Sequence, residues 1–247
     1  MFLRPALCTL LLITTLGLPI SYATTYDAAD DFSLLNNPNG PWSYGFKDEL
    51  GGTFFPYYNT LTTAEGLSIW YGETEYLFGD IPDIDPVIAH NGTGAPVGSG
   101  NLIWGPDQLS LHPGVITWPY DIYNDNPYSI LRWTAPGAGT YLISASFTGL
   151  DGGGTTTDVH VLLNGVSLFD ALVNGFGPDS EQAFLASLSL SGGDIIDFAV
   201  GPNGEYQRDT TALDATIAAN TIPEPGSLLL LGTGLGLLGL AIRRKKK

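Results

Sequence analysis

Tyr141-Leu142-Ile143-Ser144-Ala145-Ser146-Phe147-Thr148 changes character at almost every step, with Tyr141, Ile143, Ala145 and Phe147 on one side. Successive strand side chains point to opposite faces, so an apolar set of period two predicts a strand with one buried face. Downstream, Val159, Val161 and Leu163 alternate with His160 and Leu162. Asn164-Gly165 follows, and those residue types accept the positive φ angles of a tight hairpin turn into Val166-Ser167-Leu168-Phe169. Phe184 to Leu190 forms the next strand, Gly192-Gly193 turns the chain, and Ile195 to Val200 returns it. Ala212 to Ala218 closes the series with Leu213, Ala215 and Ile217 inward and Asp214 and Thr216 outward.

Working upstream, shorter aromatic strands are expected at Trp42–Phe46, Ser68–Tyr71, Leu102–Trp104, Val115–Trp118 and Tyr128–Trp133. Gly79 to Gly100, rich in Pro, Asp and Gly, is expected to be an extended loop. No segment between Thr24 and Pro225 carries a 3.6-residue apolar repeat, and no longer internal repeat is visible. Short strands divided by Gly, Pro and Asn turns predict an all-β, antiparallel β-sandwich spanning residues 24–220 as one domain. The 44% hydrophobic content of the 247 residues is ample for a core.

The two ends read as addresses. Residues 1–23 carry Arg4, an apolar stretch from Ala6 to Ile20, and Ser21-Tyr22-Ala23 as a small-residue exit. That order predicts a secretory signal peptide cleaved after Ala23, which would take Cys8, the one cysteine, with it. A disulfide framework and a thiolate metal cluster are therefore excluded. Residues 221–247 comprise Pro223-Glu224-Pro225, an apolar segment Leu228–Ile242, and Arg243, Arg244, Lys245, Lys246 and Lys247. Fifteen helical residues span about 22 Å against a hydrocarbon core of about 30 Å, a gap that snorkelling cations and local thinning can close. A single transmembrane helix is predicted, with the basic end cytoplasmic and the body outside.

This ending resembles the PEP-CTERM sorting signal of Gram-negative bacteria, a tail also labelled an ice-binding protein C-terminal domain. The resemblance rests on Pro223, Glu224 and Pro225, the Leu/Gly-rich segment, and the cluster opened by Arg243 and Arg244. It implies a substrate of exosortase, a membrane cysteine protease, and of the secretion machinery. Such a precursor is anchored transiently in the inner membrane and then released to the cell surface or extracellular matrix.

Residues 129–218 also resemble jelly-roll, galactose-binding-like modules of carbohydrate-binding proteins. The likeness is carried by Arg132-Trp133-Thr134-Ala135-Pro136, Gly139-Thr140-Tyr141, Val159 to Gly165, and Leu213-Asp214-Ala215-Thr216-Ile217. It implies a jelly-roll body and, by analogy with related modules, a structural calcium near the chain ends. Asp214 occupies the comparable place on the last strand, with Asp27, Asp30 and Asp31 at the start.

Between Thr24 and Pro225 only Lys47, Arg132 and Arg208 are basic, against all 25 acidic residues, a net charge near −22. Nucleic acid is therefore not an expected partner, whereas cations and neutral polymers are compatible. Flat aromatic faces interleaved with Asp and Asn suit a polysaccharide. Trp70, Tyr71, Trp104, Trp118 and Tyr120 are the expected stacking residues, with Asp80, Asp107 and Asp121 nearby in sequence. Trp42, Tyr44, Phe46 and Trp133 are expected in the core instead. No cofactor is expected beyond a candidate structural calcium, for which Asp151, Asp158 and Asp214 would be the ligands, since Ca²⁺ needs several loop oxygens; the rival reading is solvated loop carboxylates. Glu73 and Glu75 share a strand face as a glycosidase acid pair would, but any acidic chain offers such pairs. No G-x-S-x-G elbow is present. The expected role is a non-catalytic surface or extracellular-matrix protein that binds exopolysaccharide through a jelly-roll face; the alternative is a secreted polysaccharide-active enzyme, a glycoside hydrolase or lyase.

Overall fold

Each alternating segment pairs as a strand. The computed structural model of the chain describes residues 24–72, 77, 78, 81, 82, 86–114, 127–204 and 207–220. The signal peptide, the sorting tail, Val115–Trp118, Tyr120, Glu73 and Glu75 lie outside these residues. Residues Ala23–Asn220 form one compact unit.

In chain order the early strands are β1 (Thr25–Asp27), β2 (Trp42–Lys47), β3 (Phe55–Pro56), β4 (Asn59–Thr62), β5 (Ser68–Tyr71), β6 (Leu77–Phe78) and β7 (Ile81–Pro82). Four follow before the second half: β8 (Val87–His90), β9 (Val97–Ser99), β10 (Leu102–Trp104) and β11 (Leu109–His112). The longer strands are β12 (Tyr128–Thr134), β13 (Gly139–Gly149), β14 (Thr155–Leu163) and β15 (Val166–Gly175). A 3₁₀ turn, Gly177–Ser180, then leads to β16 (Gln182–Leu190), β17 (Ile195–Gly201) and β18 (Thr211–Asn220). Among the described residues no helix is long and apolar enough to cross a membrane.

Two antiparallel sheets face each other. The front sheet runs β16-β13-β18-β11-β8-β5-β4, with β1 also paired to β18. The back sheet runs β15-β14-β17-β12-β2-β3. From β11 onward the chain crosses between the sheets repeatedly, with β14 and β15 the one hairpin that stays within a sheet. This is an antiparallel, jelly-roll-like sandwich, as expected. The hairpin turn has Asn164 at φ 51° and Gly165 at φ 81°, the left-handed pair that its residue types predict.

The core takes the predicted faces. Tyr141, Ile143, Ala145, Phe147, Leu213, Ala215 and Ile217 from the front sheet meet Trp42, Tyr44, Trp133, Val159, Val161 and Phe198 from the back. Burying such side chains contributes about 1.5–3 kcal/mol each before entropic costs. Both outer faces carry a second apolar cluster. On the front, Leu67, Ile69, Ala89, Leu150 and Ala212 are capped by Val97 and Trp104 of the β9–β10 ribbon. On the back, Ile130, Leu162 and Ala199 lie under Leu50 and Phe54.

One expectation fails here. Gly79–Gly100 is not simply a loop, because β8 lies inside the front sheet between β11 and β5. Its Ile88 is fully buried in the core. Four residues are too few to show a period, so the Pro and Gly residues around them masked the strand.

Candidate functional site

The outer face of the front sheet carries a groove of about 650 Å³, within the size range of small-ligand sites. Its position follows from strand pairing. On one edge of β18, β11 pairs with residues 211–213 and β1 with 216–218. Asp214 lies in the gap between those neighbours, facing outward because Leu213 and Ala215 on either side face the core. The other edge of β18 is covered throughout by β13, which sets Ser146 directly opposite Asp214. Ser146, Thr148, Ala212 and Asp214 contribute the floor, and Asp27 and Ala29, where β1 ends, close one side.

The first wall is the segment from Ile103 to Gln108. Buried Asn91 organises it, donating through Nδ2 to the carbonyls of Ala95 (2.8 Å), Trp104 (3.1 Å) and Gly105 (2.8 Å). Asp107 adopts φ 59°, a conformation Asp tolerates better than most residues, and its amide donates to the Asn91 carbonyl. The wall thereby presents Ile103, which is 60% exposed, and the Asp107 carboxylate.

The second wall is Phe176-Gly177-Pro178, with the Phe176 ring 55% exposed. Close backbone contact pins it. A Cβ on Gly149 would overlap the Gly175 carbonyl, so glycine lets β13 approach the end of β15. The Gly149 amide donates to Ser180 Oγ at 2.9 Å, and that hydroxyl donates to the Gly177 carbonyl at 2.7 Å.

Electrostatically the groove is acidic. Asp27, Asp107 and Asp214 line it, and among the described residues no Lys, Arg or His does. Asp27 uses Oδ1 to accept the amides of Ala29 (3.0 Å) and Asp30 (3.2 Å). Asp107 meets His90 Nε2 at 2.9 Å. The neighbouring charges of Asp27 and then Asp107 push the Asp30 carboxyl above its ordinary range. The Asp214 carboxylate makes no hydrogen bond among the described residues.

Most of the residues expected to bind ligand lie elsewhere. Trp70 is 4% exposed and donates its indole N–H to the Ser33 carbonyl at 2.8 Å. Trp104 is 6% exposed and donates to Ser110 Oγ at 2.8 Å. Their faces are spent on packing, so neither is a stacking platform, a correction to the reading of the sequence. Tyr71 is half-buried against the outer front cluster, while Trp118 and Tyr120 fall outside the described residues. The exposed Phe176 and Ile103 were missed because nothing in their local pattern marks them as wall residues.

The expected calcium ligands are not gathered. Asp151, in the turn after β13, accepts the Gly153 amide at 2.7 Å. Asp158, on the outer face of the back sheet, accepts from Tyr128 Oη (2.8 Å) and the Asn203 amide (2.8 Å) and pairs with His160 Nε2 (2.9 Å). Asp214 stands on the front sheet. Among the described residues no group of three His, Cys, Asp or Glu side chains is placed to hold a metal ion.

His160 has a cross-strand partner in Asp170. Its Nδ1 lies 2.5 Å from Asp170 Oδ1, which also accepts from Ser167 Oγ at 2.7 Å. Burial disfavours the charged ring, but hydrogen bonds to Asp158 and Asp170 outweigh it and lift the His160 pKa.

In structure, the chain is similar to the CBM51 of Clostridium perfringens GH95 in complex with methyl-galactose, at 15% identity and a TM-score of 0.31, covering 61% of this chain and 92% of that one. It is also similar to a family 35 carbohydrate-binding module from an environmental isolate, at 16% identity and a TM-score of 0.27, covering 53% and 77%. Rabbit GITRL matches at 13% identity and a TM-score of 0.25, covering 46% and 80%. Among curated proteins none matches the sequence. Residues 221–245, which include Pro223, Glu224, Pro225, Arg243 and Arg244, match the PEP-CTERM protein-sorting motif, so the chain carries that motif.

Proposed function

We propose that this chain is an exported, non-catalytic surface or matrix protein whose β-sandwich binds extracellular polysaccharide through the groove on its front sheet. The observation that carries the reading is the groove itself, with hydroxyl and carboxylate groups on its floor and an exposed aromatic ring on its wall. Sugars present hydroxyls at their edges and C–H surfaces on their faces, and that combination of groups suits both. The sorting motif supports an exported location. On this reading exosortase receives the precursor at the inner membrane after the signal peptide is removed, and cleavage of the tail frees the acidic body.

The test uses protein secreted by cells making the native exopolysaccharide. Phe176→Ala removes the exposed ring and should weaken retention on that polymer by at least about tenfold, since burying an aromatic face is worth roughly 1.5–3 kcal/mol. Retention equal to that of the unaltered protein would reject the groove. Intact mass measurement should find the product ending before the apolar segment Leu228–Ile242. A recovered basic C-terminus would reject tail removal.

A further inference from the structure

We infer that β16, the outer strand of the front sheet, is where a second copy of this chain pairs, strand to strand, as a twofold dimer. A sheet ends at strands whose outer backbone N–H and C=O groups have no ladder partner, and proteins usually blunt such edges. In the two large sheets most edges are blunted. β3 is two residues long and contains Pro56, β4 has four residues, and β1 has three, one of them Asp27. β15 has ten residues, but it carries Asp170 and bulges around Leu168, where its register with β14 shifts. β16 differs. Its nine residues, Gln182 to Leu190, keep unbroken register with β13, and none is Pro, Gly, Asp, Glu, Lys, Arg or His. Among the described residues its outer edge meets no further strand.

Charge identifies the occupant. The body sets 25 acidic residues against Lys47, Arg132 and Arg208, so two copies repel wherever their carboxylates meet. The eleven residues of β13 and the nine of β16 include no Asp, Glu, Lys or Arg, which leaves one margin of the front sheet uncharged. A basic partner would be drawn to the acidic surface and would need no neutral margin; a partner with this chain's own charge does. The strand also accepts its own reverse. Antiparallel pairing centred on Ala186 sets Phe184 against Leu188, Leu185 against Ser187 and Ala183 against Ser189, with no charge opposed to another. Phe184 and Leu188 are half-buried against the core and Leu185 is 68% exposed, so pairing covers apolar surface on both faces of the sheet. β15 lies beside β16, with the Phe169 and Phe184 rings 5.7 Å apart, so the partner meets two layers. A strand of this length spans about 30 Å, and sheets stack about 10 Å apart. A side on the order of 30 Å by 20 Å buries roughly 1,200 Å² from the two copies together, the lower end of specific interfaces. The twofold axis stands perpendicular to the front sheet, so both grooves open on the same side of one continuous sheet.

Sedimentation of the protein released by cells, from about 1 to 100 μM, tests this and should show a reversible monomer–dimer equilibrium. Leu185→Glu places a carboxylate on each copy close to the twofold and should weaken the dimer at least about tenfold. Leu35→Glu makes the same change on a side chain that is 87% exposed, two residues from the Ser33 carbonyl that Trp70 of β5 holds, and should leave the dimer intact. Thermal melting confirms that both variants fold. Amide hydrogen exchange on the unaltered protein should slow across Gln182–Leu190 as concentration rises, while Asn59–Thr62 stays unchanged. A monomer at every concentration would overturn the inference. So would a dimer with no added protection in β16, or one that Leu185→Glu leaves unweakened. Association that grows past the dimer would overturn it as well, since a closed twofold leaves no β16 edge for a third copy.

Discussion

Asp197 is the most deeply buried carboxylate on the strands of the back sheet, and its removal gives a sharp prediction. Its side chain is 1% exposed and pairs with Arg132 through Nε at 2.7 Å and Nη2 at 2.9 Å. Lys47 Nζ lies 2.9 Å from Oδ2, with its own side chain 4% exposed. Asp197→Ala therefore leaves two cations together, one of them nearly dehydrated, with the Leu50 carbonyl at 3.3 Å as the hydrogen-bond acceptor left to Lys47. Arg132 retains the Phe54 ring, 4.0 Å from its guanidinium carbon. Breaking a buried pair by deleting one partner costs about 3–5 kcal/mol, a large part of the 5–15 kcal/mol that holds a domain folded. For a body of this size that is a fall in melting temperature of roughly 6–20 °C. Lys47→Met deletes one cation yet keeps the bidentate Arg132–Asp197 pair, so it should cost distinctly less. Urea unfolding of both variants measures the difference. A loss below about 1 kcal/mol for Asp197→Ala would refute the argument, since it would mean that the stranded cations find water or new partners freely. The groove lies on the other sheet, so affinity of the folded fraction should be unchanged.

Two further expectations concern the scaffold. The raised pKa of His160 and the lowered pKa values of Asp158 and Asp170 mean that their mutual contacts stabilise the fold most between about pH 4 and 6.5, the ordinary carboxylate and imidazole values. The His160 contribution is full below its unfolded pKa and is lost as pH rises through the folded one, whereas that of the carboxylates is lost on acidification. Melting curves from pH 5 to 9 should fall more steeply for the natural protein than for His160→Gln, and parallel curves would contradict this. Trp70→Ala empties a core site and should cost about 3–5 kcal/mol while leaving glycan affinity of the folded protein unaltered. Reduced affinity without lost stability would return Trp70 to the binding surface.

Sequence by itself determined what is local. Period-two alternation in 141–148 and 212–218 fixed both the strands and their core faces, because a strand's pleat maps odd and even positions to opposite sides. Asn164-Gly165 fixed a turn through its permitted φ angles. The three-part ending announced the sorting motif by composition and order, without any need of folding. Tertiary structure alone decided what is exposed. Trp70 and Phe176 are both aromatic, yet pairing with β8 buries the first in the sandwich, and the approach of Gly149 to Gly175 holds the second out at a groove wall. The acidic groove draws Asp27, Asp107 and Asp214 from the start, middle and end of the body. They meet because β1 and β11 divide one edge of β18 between them, a long-range pairing that no local pattern encodes.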